Sequence, residues 1–459
     1  MKLATTALLA RPTSPADRGR LWLLAGATAV AGGLLIAAAR IARLSIDGDY
    51  DASWVGPGSA THGLAPYVQQ AGLRPGVVLG ALLMTVPVFA LAVQALRVGS
   101  VARDRRMSAL RLAGATPQDV RAVAAGEAGG AALLGGLLAG PAYLALYVML
   151  GLLLPRGQRL LPTPSVADLL VWLLVVVGLG VLGVVVGGAV ERRVLTDPLG
   201  VHRRVGAKPP GWPSMAVSAI GLVLVATGLG RINSDRSFLP PMLVVSGLLV
   251  TAFTLAPVVV RRRGRRLARR GSAADLLAGS RLAAEPRSAG RVAAVLAVCG
   301  VALGMEAGLL TDLSGQSDLS FYVTGYAMSA VGVLVAVVIA VLTLLVGAAD
   351  QLLDARRPLA SLAALGVDER TLLGVLRRQL SSTAVPAVVA GVIVGGVGSV
   401  AVQSGMNIHD IQLGGLDVGL MLAAALLGGG LVAVVCRVAA ALLRSRLREA
   451  IDPENLRVA

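Results

Sequence analysis

Residues 107–123 read MSALRLAGATPQDVRAV and residues 359–375 read LASLAALGVDERTLLGV. Each is a short amphipathic interruption in a chain otherwise dominated by runs of Ala, Val, Leu and Gly. A shift of 252 positions lays Leu110 on Leu362, Gly114 on Gly366, Ala115 on Val367 and Val123 on Val375. Before Gly114, RDRRMSALRLA is a good helix former, with Met107, Leu110 and Ala113 on one face and Arg105, Arg106 and Arg111 mostly elsewhere. Gly114 is free to take the left-handed conformation that ends a helix. Thr116 then serves as an N-cap, Pro117 as the first helical residue, and Asp119 stands three residues after the cap. In the second copy Gly366 ends the first helix, Asp368 caps the next, and Glu369 suits the positive end of the helix dipole. The pattern predicts, twice, two short helices joined by a sharp corner. Each first helix fits either a membrane interface or a groove on a partner, and its residues weigh these equally. Two copies in equivalent positions call for two identical partners.

The surroundings fix the class. The chain has 459 residues, 56% of them hydrophobic and 15% charged, with a mean hydropathy of +0.77. The apolar residues fall in ten blocks, roughly 21–39, 77–97, 127–154, 168–190, 213–230, 239–260, 292–310, 327–349, 383–403 and 417–437. Each is long enough to cross about 30 Å of hydrocarbon, and lipid offers no partner for an open backbone, so the blocks are expected to be helices. The first block follows Arg18 and Arg20 and has the look of a signal peptide, but no small-residue cleavage site ends it, and it is read as a span.

The formal charge of +17 raises nucleic-acid binding as a function. Its distribution over the loops argues otherwise: with the N-terminus inside, 35 of the 42 Lys and Arg lie on cytosolic segments and 7 on outer loops. This is the positive-inside pattern; it places both termini and both interruptions in the cytosol and leaves nucleic acid nothing to explain. The densest run, RRRGRRLARR at 261–270, follows the sixth span, where anionic membrane lipids would attract it. Forty Arg against two Lys is the bias of a GC-rich genome, which points to a bacterial plasma membrane.

The duplication extends beyond the interruptions. In both halves a span precedes the interruption and a Gly-rich span follows it, GGLLAGPAY at 135–143 and AGVIVGGVG at 390–398. A short outer loop, another span and a basic tail holding Asp-Pro come next, Asp197-Pro198 and Asp452-Pro453; the entries SPADRGR (14–20) and EPRSAGR (285–291) also match loosely. The expected fold is therefore all-α and polytopic, with ten transmembrane helices arranged as four spans, two linking spans and four spans.

A span, a basic helix ending in L-x-x-x-G-[A/V], a capped second helix, a Gly-rich span and an Asp-Pro tail together resemble the FtsX-like permease domain of ABC transporters, the type VII or mechanotransmission class. Two such domains in ten spans resemble bacitracin-export permeases. The resemblance implies a first repeat over residues 1–211 with coupling helices at about 99–125, linking spans over 212–260, a basic cytosolic linker and entry helix over 261–291, and a second repeat over 292–459 with coupling helices at about 350–381. It further implies two copies of a cytosolic ABC ATPase as partners. Met107, Leu110, Arg111, Gly114, Ala115 and Thr116 would meet one, and Leu359, Leu362, Ala363, Gly366, Val367 and Asp368 the other. The second half departs from the pattern at Pro358, which stands where the first has Arg106, so the two docking sites are expected to differ in strength. The family's large extracellular domain is also missing: the loop between spans seven and eight is only about residues 311–326. Recognition would rest on the spans, the short loops or an extracellular protein partner.

A phosphate-binding loop needs a lysine before Ser or Thr; Lys2 and Lys208 are the only lysines, and Lys208 sits in VGAKPPG. The chain is thus expected to be no ATPase itself and to carry no cofactor, with ATP and Mg on the partner. The function implied is export or extraction of a lipophilic or peptide substrate, or force transmission. The alternatives are a non-transporting regulator of an extracellular partner and, third, a proton-driven exporter.

Glu306, in GMEAG at 304–308, is the one weak candidate for substrate binding, about a turn from the outer end of its span. Glu127 and Asp350 border spans on the cytosolic side and Asp168 borders one outside, so they read as interfacial. Four GxxxG spacings, Gly136–Gly140, Gly183–Gly187, Gly304–Gly308 and Gly391–Gly395, read as close helix packing. Asp47, Asp49 and Asp51 imitate the start of a calcium loop, but Ala52 and Gly58 occupy its required Gly and Glu positions. Cys299 and Cys436 form no CxxC pair, and His62, His202 and His409 are scattered, so no disulfide or metal site is expected.

Overall fold

The computed structural model describes residues 15–44, 63–70, 73–96, 100–154, 158–191, 212–231, 239–310, 319–403, 414–452 and 454. The acidic segment 45–54, His62, the Asp197-Pro198 tail, His202, His409 and residues 311–318 of loop 311–326 lie outside these residues. Among the described residues the chain is helical, with a single isolated β-bridge between Leu64 and Arg159. It is an all-α polytopic membrane protein: ten helices are long and apolar enough to span a bilayer.

The chain divides into two compact units, Met1–His202 and Arg203–Ala459. The first contains α1 (Pro15–Leu44), the one-turn α2 (Pro66–Gln69), α3 (Arg74–Ala95), α4 (Ser100–Leu112), α5 (Pro117–Leu153) and α6 (Ala167–Glu191). Its spans are α1, α3, α5 and α6. α1 packs on α3, α5 and α6, and α5 packs on α6. This central role follows from composition. The stretch LAGATAVAGG is so small in side chain that neighbouring backbones approach it closely, as where Gly135 of α5 meets Thr28 and the Ala25 carbonyl. α6, rich in Val and Leu, has only 11% of its apolar window buried against 61% for α1, so it is the helix left for lipid.

The second unit contains α7 (Trp212–Arg231), α8 (Leu239–Ala268), α9 (Ala273–Ala284), α10 (Pro286–Leu309), α11 (Leu319–Asp354), α12 (Arg356–Ala364), α13 (Glu369–Gln403), α14 (Gly415–Leu442) and α15 (Arg444–Ala450). The spans are α7, α8, α10, α11, α13 and α14. α10 packs on α11, α13 and α14, and α13 packs on α14, the same set of pairings that α1, α3, α5 and α6 make. α10 is likewise the most buried span of its unit, with 56% of its window enclosed. The linking helices α7 and α8 pack on each other, and α8 also packs on α9 and α10. The basic run beginning at Arg261 is no loose linker: through Ala268 it continues α8, and Gly264 lies against Gly279 and Ala283 of α9.

All four GxxxG pairs are used inside one unit or the other. Gly136, Gly140, Gly183 and Gly187 lie in the α5–α6 contact, and Gly304, Gly308, Gly391 and Gly395 in the α10–α13 contact. At Gly391 an added Cβ would collide with the Ala297 carbonyl oxygen of α10.

Candidate functional site

Both interruptions fold into helix–corner–helix units of the same construction. At the first, Gly114 has φ +94°; its N–H donates to the Arg111 carbonyl at 2.9 Å, and the Ala115 N–H donates to the Leu110 carbonyl at 3.0 Å. At the second, Gly366 has φ +92° and donates to the Ala363 carbonyl at 2.9 Å, while Val367 donates to the Leu362 carbonyl at 3.1 Å. These are Schellman closures, which need a residue tolerant of positive φ at that one position. Thr116 then accepts from the Asp119 N–H at 3.3 Å and its own N–H donates to Asp119 Oδ2 at 3.0 Å, a full capping box. At the other corner Asp368 accepts from the Thr371 N–H at 3.1 Å, and Thr371 holds the Asp368 carboxyl below the usual carboxylate range.

The second helix of each pair is not short. α5 runs 37 residues and α13 runs 35, so each corner is continuous with a span on the order of 50 Å long. The expected short second helix is therefore corrected at both corners: the capped turn runs on into the apolar span, and Pro141 and Pro386 lie inside these helices without ending them.

The proposed docking residues divide into two sets. Met107 is 2% exposed and packs with Val120 and Val123, with Leu110 and Ala115 beside them. Leu359 is 1% exposed, and Leu372 and Val375, the counterparts of Val120 and Val123, are also buried. Met107 and Leu359 therefore pin the first helix to the second and are turned into the chain. Leu110, Arg111, Ala115, Leu362, Ala363 and Val367 are half-buried, and Gly114, Thr116, Gly366 and Asp368 are exposed. The large apolar side chains that project at the corners are Leu112, 91% exposed, and Leu365, 81% exposed. Sequence reasoning passed over both: Leu112 falls off the face that carries Met107 and Leu110, and Leu365, a turn on from Leu362, stands just before the corner glycine.

Beside the first corner lies a buried ion-pair node. Glu127 of α5 accepts from Arg20 of α1 at 2.8 Å and from Arg106 of α4 at 3.3 Å, with 9% of its side chain exposed. Asp17, Leu21, Leu24 and Ala131 complete a cleft around it. Glu127 therefore ties the corner helix to the central helix through a carboxylate largely closed to water. The offset of 252 maps Glu127 onto Gln379 and Arg106 onto Pro358, so both members of the pair are replaced together. Gln379 donates to Gln351 Oε1 at 3.1 Å, and Gln351 donates to Ser288 at 3.5 Å. An amide relay stands where the first unit has charge. The second corner has a different tether: Glu369 accepts from Arg444 and from Arg448 of α15, and Leu447 of the same helix is 1% exposed.

Asp168 and Asp350, at the ends of their spans, are buried in the protein as well, at 6% and 7% exposure. Glu306 is half-buried near the far end of α10; its Oε1 has no hydrogen-bond partner among the described residues, and Ser329 of α11 faces the carboxyl. The neighbouring Gly308 meets Ser399 near the end of α13, some 45 Å along that helix from the Gly366 corner, so Glu306 and that corner form no common site. The described residues contain no cluster of metal-binding side chains, and Cys299 and Cys436 are buried free thiols. Comparison of the chain with protein-family models, with curated proteins and with solved structures yields no match in any of the three.

Proposed function

We propose that the chain is the membrane permease subunit of an ATP-driven transporter, and that its two corners receive two copies of a cytosolic ABC ATPase carrying ATP and Mg. The observation that carries this reading is the repetition of one corner design, a Schellman glycine followed by a capped helix continuous with a span, with an exposed leucine just before each glycine although not at matched positions. A projecting leucine outside the apolar runs fits a hydrophobic socket on a partner. A rigid helix rising from the corner converts displacement there into movement of the span, whether the outcome is export of a lipophilic or peptide substrate or force on an extracellular partner. Moving a two-state seam from mostly closed to mostly open requires about 5.5 kcal/mol. A proton-driven exporter would use several unpaired carboxylates at mid-depth in its spans; arginines engage Glu127 and Asp168, and among the described residues only Glu306, near the end of its span, has a buried carboxylate oxygen without a partner. In this reading both termini and both corners face the cytosol of a bacterium.

The test is co-purification in mild detergent with mass spectrometry of the wild type and of a Leu112→Glu, Leu365→Glu variant. Both sites are solvent-exposed, so folding should be unaffected. An ABC ATPase at two copies per chain, lost in the variant, is expected; a monodisperse wild type without an ATPase would reject the proposal.

A further inference from the structure

At the end of the first unit away from Gly114, three helices and a loop bring together charges that do not cancel among the described residues. Arg40 and Arg43 leave the last turn of α1, and both pair with Asp168 at the start of α6, whose carboxylate is 8% exposed. Arg40 also donates to the Thr163 carbonyl at 3.2 Å, and the Ser165 N–H donates to Asp168 Oδ2 at 2.7 Å. Arg159 donates to the Tyr147 hydroxyl of α5 at 3.3 Å. One turn below Tyr147 stands Tyr143, 3% exposed, with Arg40 and Arg43 in electrostatic range of its hydroxyl. Among the described residues the cluster holds three arginines against one aspartate.

Two donors here lack acceptors. The Tyr143 hydroxyl and Arg43 Nε are both buried, and neither has a hydrogen-bond partner among the described residues. A buried donor left unmade is costly, and two beside a surplus of positive charge call for a group that only accepts and is negative. The setting narrows the chemistry further. The cluster caps spans α1, α5 and α6 at a bilayer surface, and the Arg guanidinium matches the geometry of a phosphate oxygen pair.

We propose that Arg40, Arg43 and Tyr143 form a binding site for a phosphate group, supplied by the headgroup of a lipid in the leaflet that this end of the unit faces. Asp168 orients the two guanidiniums and keeps a monoanion sufficient to neutralise them. The lipid would lie along α6, whose Leu169, Leu170, Leu173 and Leu174 are exposed directly below the cluster.

The experiment follows the unfolding midpoint of detergent-stripped full-length protein as short-chain phosphatidylglycerol is added, and separately as inorganic phosphate is added against chloride at equal ionic strength. Saturable stabilisation by phosphatidylglycerol is expected, with Arg43→Gln and Tyr143→Phe each raising the half-saturating concentration about tenfold or more, and with Arg446→Gln as an unaffected surface control. Tyr143→Phe keeps the test open if Arg43→Gln fails to fold. An equal response to inorganic phosphate would assign the site to a soluble anion. Lipid stabilisation unchanged in both variants, or no response of the wild type to either probe, would overturn the proposal.

Discussion

Replacing Glu127 by Gln should destabilise the first unit by about 3 kcal/mol. The figure follows from the node's geometry. An ion pair with its charges about 4 Å apart in a medium of effective dielectric near 20 is worth roughly 4 kcal/mol. Arg20, whose side chain is 10% exposed, loses nearly all of that; Arg106, at 28%, recovers part of its hydration. The glutamine oxygen still accepts one hydrogen bond, returning about 1 kcal/mol. The result falls at the low end of the roughly 3–5 kcal/mol known for breaking a buried pair from one side. Unfolding in mixed micelles with a rising mole fraction of dodecyl sulfate would measure it. Tryptophan emission is a suitable signal, because three of the four tryptophans, Trp22, Trp54 and Trp172, belong to this unit. An Arg20→Gln, Glu127→Gln double variant should be less destabilised than the sum of its singles by about 1.5 kcal/mol or more, since it removes the orphaned charge. A Glu127→Gln effect under about 0.5 kcal/mol, or strict additivity in the double variant, would refute a buried charge node.

Gly114→Ala and Gly366→Ala should each cost about 1–2 kcal/mol in the same titration, because φ near +90° strains any residue with a Cβ. No atom lies within 4 Å of the added carbon at either site, so a larger loss would mean that the corner is packed against something. Asp275 supplies the pH dependence: the Ser272 hydroxyl, with Arg378 behind it, lowers its carboxyl below the ordinary value of 3.8. A depressed pKa contributes stability above the unfolded value and loses it as pH falls through the folded one. Amide exchange across 273–284, corrected for intrinsic rates, should therefore accelerate only below about pH 4, and a transition near pH 6 would contradict the assignment.

The ten spans were legible because an apolar run of about twenty residues has no other stable use. Gly114 and Gly366 were legible because a capped helix start three residues after a glycine leaves the chain little choice but a turn. The ion pairs were not. Glu127 stands at the edge of an apolar run, where hydropathy assigns it to the interface, and its partner Arg20 is 107 residues away. Asp168 is read the same way, with Arg43 lying 125 residues away. The helical period correctly grouped Met107 with Leu110 but could not say whether that face meets a partner or the chain's own next helix. The charge of the basic run from Arg261 reads as a linker attracted to anionic lipid; that it continues α8 through Ala268 and presses Gly264 against α9 is a tertiary contact the charge pattern does not carry.

The paired loss of Glu127 and Arg106 in the second half bears on why the two corners differ. Changing either residue alone would strand a charge at a site that is largely closed to water, which is costly; changing both removes the charge and the need for it. Proline at 358 also shortens the available helix: α12 has 9 residues where α4 has 13. The second corner has instead a tether from the tail, where Arg444 and Arg448 hold Glu369 while Leu447 seats α15 in the unit. Both arginines are more than half exposed, so these pairs contribute little stability and respond to salt. The first corner is thus fixed by buried charge and the second by a surface tether, and raising the salt concentration should loosen only the second. Two identical partners bound to such corners would meet one stiff seat and one compliant seat, so the first corner would pass a displacement into its span while the second absorbed part of it.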